Sequence, residues 1–330
     1  MTNGKHISPT DQRAINRGRW CILSAAILWS CSGLLTRMLQ LPTALHLNEP
    51  ALTSIQIAVF RAFFAGIFFV PLLVRVRNWN FRPLMAPMVC CFALMNATYV
   101  TAMALGSSAN AILLQNSSPF FVFLYVVLVM KEPADRRSLY ALLVGMLGIV
   151  IIVVGGSSLA GSRWDILLLG LASGVTYAGI ILFLRALRDQ PAEWLTCINH
   201  LGSAFFLSLA IFILHGGSYF LEWITTPTWQ QLLFLLFFGT IQMGLPYWLF
   251  ARGLRTVNPQ EAGAITLLEP LLNPLWAYLI SPETDTPTYF TLIGGMLILS
   301  ALAYRYSVPG LLSQKVRSRR ATSTNNQTIK

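Results

Sequence analysis

The stretch "QEAGAITLLEPLLNPLWAYLISPET" (residues 260–284) reads as apolar helix, yet it carries groups that lipid does not welcome. Glu269, Asn273, Pro270 and Pro274 interrupt a run built mostly of Leu, Ile, Ala and aromatic residues. A second stretch, "SANAILLQNSSPFFVFLYVVLVMKEP" (108–133), has a similar design. Pro119 aligns with Pro270 and Glu132 with Glu283, both at an offset of 151 residues. Downstream, "YALLVG" matches "YFTLIG", pairing Tyr140 with Tyr289 and Gly145 with Gly294. Upstream, "ILWSCSGLLTR" matches "SGVTYAGIILFLR", pairing Trp29 with Tyr177 and Arg37 with Arg185. Several matches at nearly one offset point to an internal duplication.

Composition sets the medium. Of 330 residues, 55% are hydrophobic and 11% charged, and the mean hydropathy is +0.62. Soluble domains carry roughly 25% charged residues. So few charges cannot cover a water-facing surface, and the chain reads as an all-α integral membrane protein. A span needs about 20 mostly apolar residues. Ten are expected, at roughly 19–38, 53–74, 84–104, 108–130, 137–156, 165–185, 194–214, 230–251, 260–280 and 288–306. Residues 1–17 form an N-terminal segment, 18–160 and 161–310 the two five-helix repeats, and 311–330 a basic disordered tail. No cleavable signal pattern precedes the first span, which is expected to stay as an anchor.

The net charge of +11 follows topology rather than nucleic-acid binding. Twenty of the 23 basic residues fall before the first span, in the even-numbered loops, or after the last span. Only Arg37 and Arg163 lie on the other side, and Arg61 lies inside span two. Basic loops stay in the cytoplasm, so both termini are expected there, in a plasma (inner) membrane. An odd number of spans per copy turns the second copy over, which makes two inverted five-helix repeats, an architecture of secondary transporters.

Several features now resemble one family: "ILWSCSGLLTR", "FRAFFAG" (60–66), "SSPFFVFLYVVLVMKEP" and "LLEPLLNPLWAYLISPE", in that order across about residues 18–308. The chain resembles the EamA-type transporters of the drug/metabolite transporter superfamily. The resemblance implies a ten-helix inverted-repeat fold with a central cavity and export of a small metabolite. One departure stands out. Span four has "NSSP" where span nine has "LLEP", so only one repeat carries the carboxylate.

Among the 12 acidic residues only Glu269 lies deep in an apolar span. A charge there costs several kcal/mol, so Glu269 should be protonated, paired or facing a wet cavity. It is the candidate coupling residue, with a structural carboxylate as the alternative. Pro119 and Pro270 remove backbone donors near mid-span and are the candidate hinges. Trp29, Asn96, Tyr99, Gln115, Asn116, Ser118, Tyr177, Gln242, Tyr247, Trp248 and Asn273 are the candidate cavity residues, because neutral polar groups inside lipid need protein or water partners. Arg61 either ties helices together or binds a substrate carboxylate bidentately; the helix tie is the favoured reading. Asn199 and His200 could relay a proton, with a satisfied packing histidine preferred. The glycosylation-like "NAT" and "NSS" fall inside spans and are discounted. Glycine-rich "GMLGIVIIVVGG" serves close helix packing. The five cysteines and four histidines show no metal-ligand spacing, and no phosphate loop or nucleophile elbow is present.

The expected function is secondary active transport, by alternating access, of a small polar or amphipathic, amino-acid-like metabolite out of the cell. No cofactor, metal, nucleic acid or enzymatic step is expected; the partners are the substrate, membrane lipids and coupling protons, for a monomer or homodimer. A membrane-embedded transferase acting on a lipid-linked substrate, or a channel, is the alternative.

Overall fold

The computed structural model of the chain describes residues 9–76, 79–131, 136–155, 163–257 and 259–305. Lys5, Arg77, Glu132 and the 311–330 tail lie outside the described residues. Every regular element described is a helix. In chain order they are α1 (Pro9–Ser30), α2 (Ser32–Met38), α3 (Ser54–Leu73), α4 (Met85–Leu105), α5 (Ser108–Gln115), α6 (Ser118–Leu128) and α7 (Arg136–Val150), which runs on as a π-helical Ile151–Gly155. Then follow α8 (Trp164–Ala186), α9 (Ala192–His215), α10 (Gly217–Thr225), α11 (Trp229–Phe237), a π-helical Phe238–Gly244 and α12 (Leu245–Gly253). The last are α13 (Pro259–Thr266), α14 (Leu268–Ile280), α15 (Pro282–Asp285) and α16 (Tyr289–Arg305).

Eight continuous or locally broken helices are long and apolar enough to cross a membrane: Gln12–Met38, Ser54–Leu73, Met85–Leu105, Ser108–Leu128, Trp164–Ala186, Ala192–His215, Trp229–Gly253 and Glu261–Ile280. Two shorter apolar helices, Leu139–Gly155 and Tyr289–Arg305, stand where the fifth and tenth spans were expected. The sequence count of ten therefore meets eight full-length helices and two short ones. Lipid accounts for the abundance of exposed apolar side chains, such as Val74, Ile213, Leu214 and Leu279, because every helix satisfies its own backbone and needs water on no face.

The packing has a two-fold logic. The span α1–α2 packs on α12, and α4 packs on α8. These are equivalent contacts once the two halves are exchanged. Likewise α5 and α6 pack on α8, while α13 and α14 pack on α1. The pair α3 and α9, equivalent to each other, pack together at the centre. Where α7 crosses α16 the backbones nearly touch. A Cβ on Gly148 would fall 2.6 Å from the Gly294 carbonyl oxygen, and one on Gly294 would fall 2.6 Å from that of Gly148. Glycine is the residue that permits such an approach.

Two spans begin with the same signature. In "TSIQ", Thr53 accepts from the Gln56 backbone N–H at 3.2 Å while Gln56 Oε1 accepts from the Thr53 N–H at 2.7 Å. In "TWQQ", Thr228 and Gln231 repeat the arrangement at 3.3 and 2.9 Å. Each capping box satisfies backbone donors left open at a helix start. Each glutamine then spends its amide on a neighbouring connection, Gln56 on the Trp223 carbonyl of α10 and Gln231 on those of Leu47 and Pro50. One residue pair thus starts a helix and docks a connection.

Candidate substrate cavity

The duplicated prolines break their helices at matching places. The span Ser108–Leu128 is interrupted at Asn116–Ser117, just before Pro119, and the ninth span at Leu267, just before Pro270. Each proline lacks the N–H that would continue the ladder. The eighth span widens into its π-helical turn at Phe238–Gly244, just before Pro246. The first span breaks at Cys31 between α1 and α2. Four irregular helices thus surround one cavity.

That cavity has a volume of about 580 Å³, within the range typical of small-molecule sites. Trp29, Tyr99, Gln115, Asn116, Tyr177, Gln242 and Tyr247 line it, together with Arg61 and Glu269. Phe92, Met95 and Phe250 add apolar wall. Trp29 meets Tyr247 edge-on at 5.1 Å and Phe250 at 5.4 Å. Arg188, Gln190, Ala192 and Leu254 also line it, from the α8–α9 connection and the end of α12. Its lining therefore extends to the ends of α8 and α12 and to the start of α9.

Four of the residues expected at the cavity are not in its lining. Asn96 sits behind Arg61, fully buried, with Nδ2 donating to the Ala58 carbonyl at 2.9 Å. Ser118 is two residues past Asn116, so helix geometry turns it away, and it is buried. Trp248 follows Tyr247 by ~100° of helix rotation; the Arg252 guanidinium covers its ring at 4.5 Å. Asn273 lies one turn beyond Glu269 but is tied off, its Nδ2 donating to Ser32 Oγ at 2.8 Å. Ser32 in turn meets the Tyr99 hydroxyl at 3.1 Å. This chain joins α14, α2 and α4.

Glu269 is the only carboxylate in the lining. Among the described residues it makes no hydrogen bond or ion pair. Arg61 is 3% exposed and donates to Asn96 Oδ1 from Nη2 at 2.8 Å and from Nε at 3.3 Å. This contact joins α3 to α4 at the cavity wall. His200 is not a satisfied packing histidine. Neither ring nitrogen has a partner among the described residues, and the ring is boxed by Phe69, Phe92 and Tyr247 at 6.4, 4.8 and 5.3 Å. Asn199 lines the cavity beside it.

Asp285 carries no mark in the sequence. It lies in a polar connection, "SPETDT", that looks exposed, yet it is fully buried. Arg37 Nε donates to its Oδ2 at 2.7 Å and the Ser108 backbone N–H to its Oδ1 at 2.8 Å. The Arg37 guanidinium also donates to the Ala104 carbonyl at 3.1 Å and to that of Gly106. This cluster joins α2, the α4–α5 connection and α15. Among the described residues, no three His, Cys, Asp or Glu side chains group as metal ligands.

The EamA-like transporter family model matches twice, at residues 16–154 and 164–305. The chain belongs to the EamA-like transporter family. Its two family repeats are the two halves that exchange in the packing. An uncharacterized transporter of Archaeoglobus fulgidus is 27% identical over 249 residues, covering 76% of this chain and 85% of the relative. The uncharacterized transporter YwfM of Bacillus subtilis is 24% identical over 293 residues, covering 85% and 92%. A crystal structure at 18% identity shares the fold with a TM-score of 0.54 over 89% of this chain and 96% of that one. The EamA-like protein is a membrane transporter by family, with its apolar helices as the membrane-embedded body.

Proposed function

We propose that this EamA-like protein is a secondary active exporter that moves a small polar or amphipathic, amino-acid-like metabolite by alternating access. The observation that carries the reading is a cavity of about 580 Å³ whose lining reaches the α8–α9 connection and the end of α12, while the buried Arg37–Asp285 pair ties together connections at the other ends of the helices. The two family matches, the eight long and two short apolar helices, and the exchange-symmetric packing support a ten-span layout with two inverted repeats. Inverted halves supply two states from one fold, because exchanging their conformations reverses the open side. The arginine-rich face is the cytoplasmic one, so the present state loads substrate from inside.

Glu269 is the coupling group. It stands in the cavity wall next to the break at Leu267, without a bond among the described residues to hold it in one protonation state. In the open state water reaches it; when the cavity closes, lipid-like surroundings disfavour its charge. Binding and release of a proton then follow the alternation. Pro119 and Pro270, at equivalent breaks, are where the helices bend. No chemical change of the substrate is involved.

The test is transport in proteoliposomes under an imposed pH gradient. Wild-type protein is expected to drive uphill flux and to show counterflow of labelled substrate, which a channel does not. Glu269→Gln keeps shape and most hydrogen bonding but cannot titrate. It should lose gradient-driven flux and its pH dependence while retaining exchange. Full gradient-driven flux with the wild-type pH profile would remove Glu269 from the coupling role.

A further inference from the structure

Among the described residues two arginines, Arg37 and Arg61, are buried inside the helical body, and they are treated differently. Arg37 has a carboxylate, both of whose oxygens it engages, and two backbone carbonyls. Arg61 has one neutral acceptor. Its Nε and Nη2 share the single Asn96 Oδ1, and Nη1 donates to no group among the described residues. The Phe238 and Tyr99 rings lie 5.4 and 5.9 Å from the guanidinium carbon. Such cation–π contacts contribute only about 0.5–2 kcal/mol each. A desolvated cation costs more than that unless an anion and hydrogen bonds answer it. Glu269, the one carboxylate of the lining, forms no ion pair with it.

The shortfall is preserved by construction. Asn96 is held by the Ala58 carbonyl and by Ser203 Oγ at 3.4 Å, so its oxygen stays on the guanidinium and fixes the fork. The π-helical turn of the eighth span presses on α3 from behind, where a Cβ on Gly239 would fall 2.5 Å from the Arg61 carbonyl oxygen. The backbone that carries Arg61 is thus tightly packed, and the Asn96 contact holds its guanidinium at the cavity wall. A second cation, the exposed Arg188, also lines the cavity, and positive charge along a cleft raises the local concentration of anions.

We infer that the cavity takes substrates bearing a carboxylate, which docks on the Arg61 guanidinium and supplies the charge the protein leaves out. Planar, forked donors match a carboxylate bidentately. Arg61 is the specificity-determining residue, Asn96 a positioning residue that acts through it, and the aromatic wall of Trp29, Tyr247 and Phe250 packs the remainder of the ligand. This rests on the transporter reading above and narrows its substrate class.

Proteoliposomes are loaded with an equimolar mixture of amino acids, short-chain carboxylates and the carboxamide of each, and efflux is followed by mass spectrometry. Any member that leaves is expected to be a carboxylate, with its amide slower by at least about tenfold, since a site built for a polar group rejects the analogue lacking it. Arg61→Gln should lower carboxylate efflux by a similar factor with little change for amides, and Arg61→Lys should recover part of it. The acid–amide comparison uses wild-type protein, so it stands even if Arg61→Gln fails to fold. Amides leaving as fast as their acids, or Arg61→Gln exporting acids at the wild-type rate, overturns the docking role and leaves the transporter reading intact. No efflux of any compound overturns both.

Discussion

Arg37 and Asp285 show how much one buried pair can hold in a membrane protein. Both are nearly inaccessible, at 3% and 0% side-chain exposure, and they join three segments that are far apart in sequence. Removing one partner of such a pair leaves an unanswered charge, which costs about 3–5 kcal/mol. Arg37→Gln or Asp285→Asn should therefore lower the unfolding temperature of the detergent-solubilised protein markedly. The double variant should fall less than the sum of the singles, because the two changes share one interaction. Additive losses would mean that the pair does not act as a unit. An exposed pair such as Arg163–Asp165, at 62% and 46% side-chain exposure, offers the contrast. Its loss should leave the unfolding temperature nearly unchanged, because water and salt screen an exposed pair.

At the scale of the helix, the duplicated break is the feature that matters. Asn116–Ser117 and Leu267 interrupt two spans at equivalent positions, each three residues or fewer before a proline. Sequence alignment of the repeats exposed Pro119 and Pro270, and polarity inside apolar spans marked Gln115, Asn116 and Glu269 for the cavity. The same reasoning put Ser118, Trp248 and Asn273 in the wall, where the structure does not, because the rotation of a helix about its axis is set by its neighbours. Pro119→Ala and Pro270→Ala should restore a backbone donor and stiffen each break. Transport rates should then drop by more than expression does. Equal rates in both variants and the wild type would show that the breaks do not bend in the cycle.

The whole molecule commits to a sidedness. Reporter fusions at residue 160 should read outside the cell, and fusions at 190 and 320 inside; an outside C-terminus would undo the ten-span layout. In a chain with its five cysteines replaced, Thr196→Cys, in the cavity lining near the start of α9, should react with an impermeant thiol reagent applied from the cytoplasmic face. The same reagent on the opposite face should leave it unmodified until Arg37→Gln loosens the seal. Modification from both faces in the otherwise unaltered protein would contradict a single open side.

Much of this protein was legible in one dimension. Hydropathy marked the spans because lipid demands ~20 apolar residues wherever a helix crosses. The arginines set an expectation for the faces, and the recurring prolines marked the duplication. Those are local or periodic signals, and each is imposed by the membrane on every residue it touches. Glu269 stood out for the same reason, as a charge where lipid tolerates none. Asp285, the unpartnered His200 ring and the Asn96 clamp on Arg61 carried no such mark. Asp285 reads as loop, His200 as packing and Asn96 as one polar residue among many. What each does depends on which other helix arrives beside it, and that is decided by long-range packing between the two halves, which no local window of sequence contains.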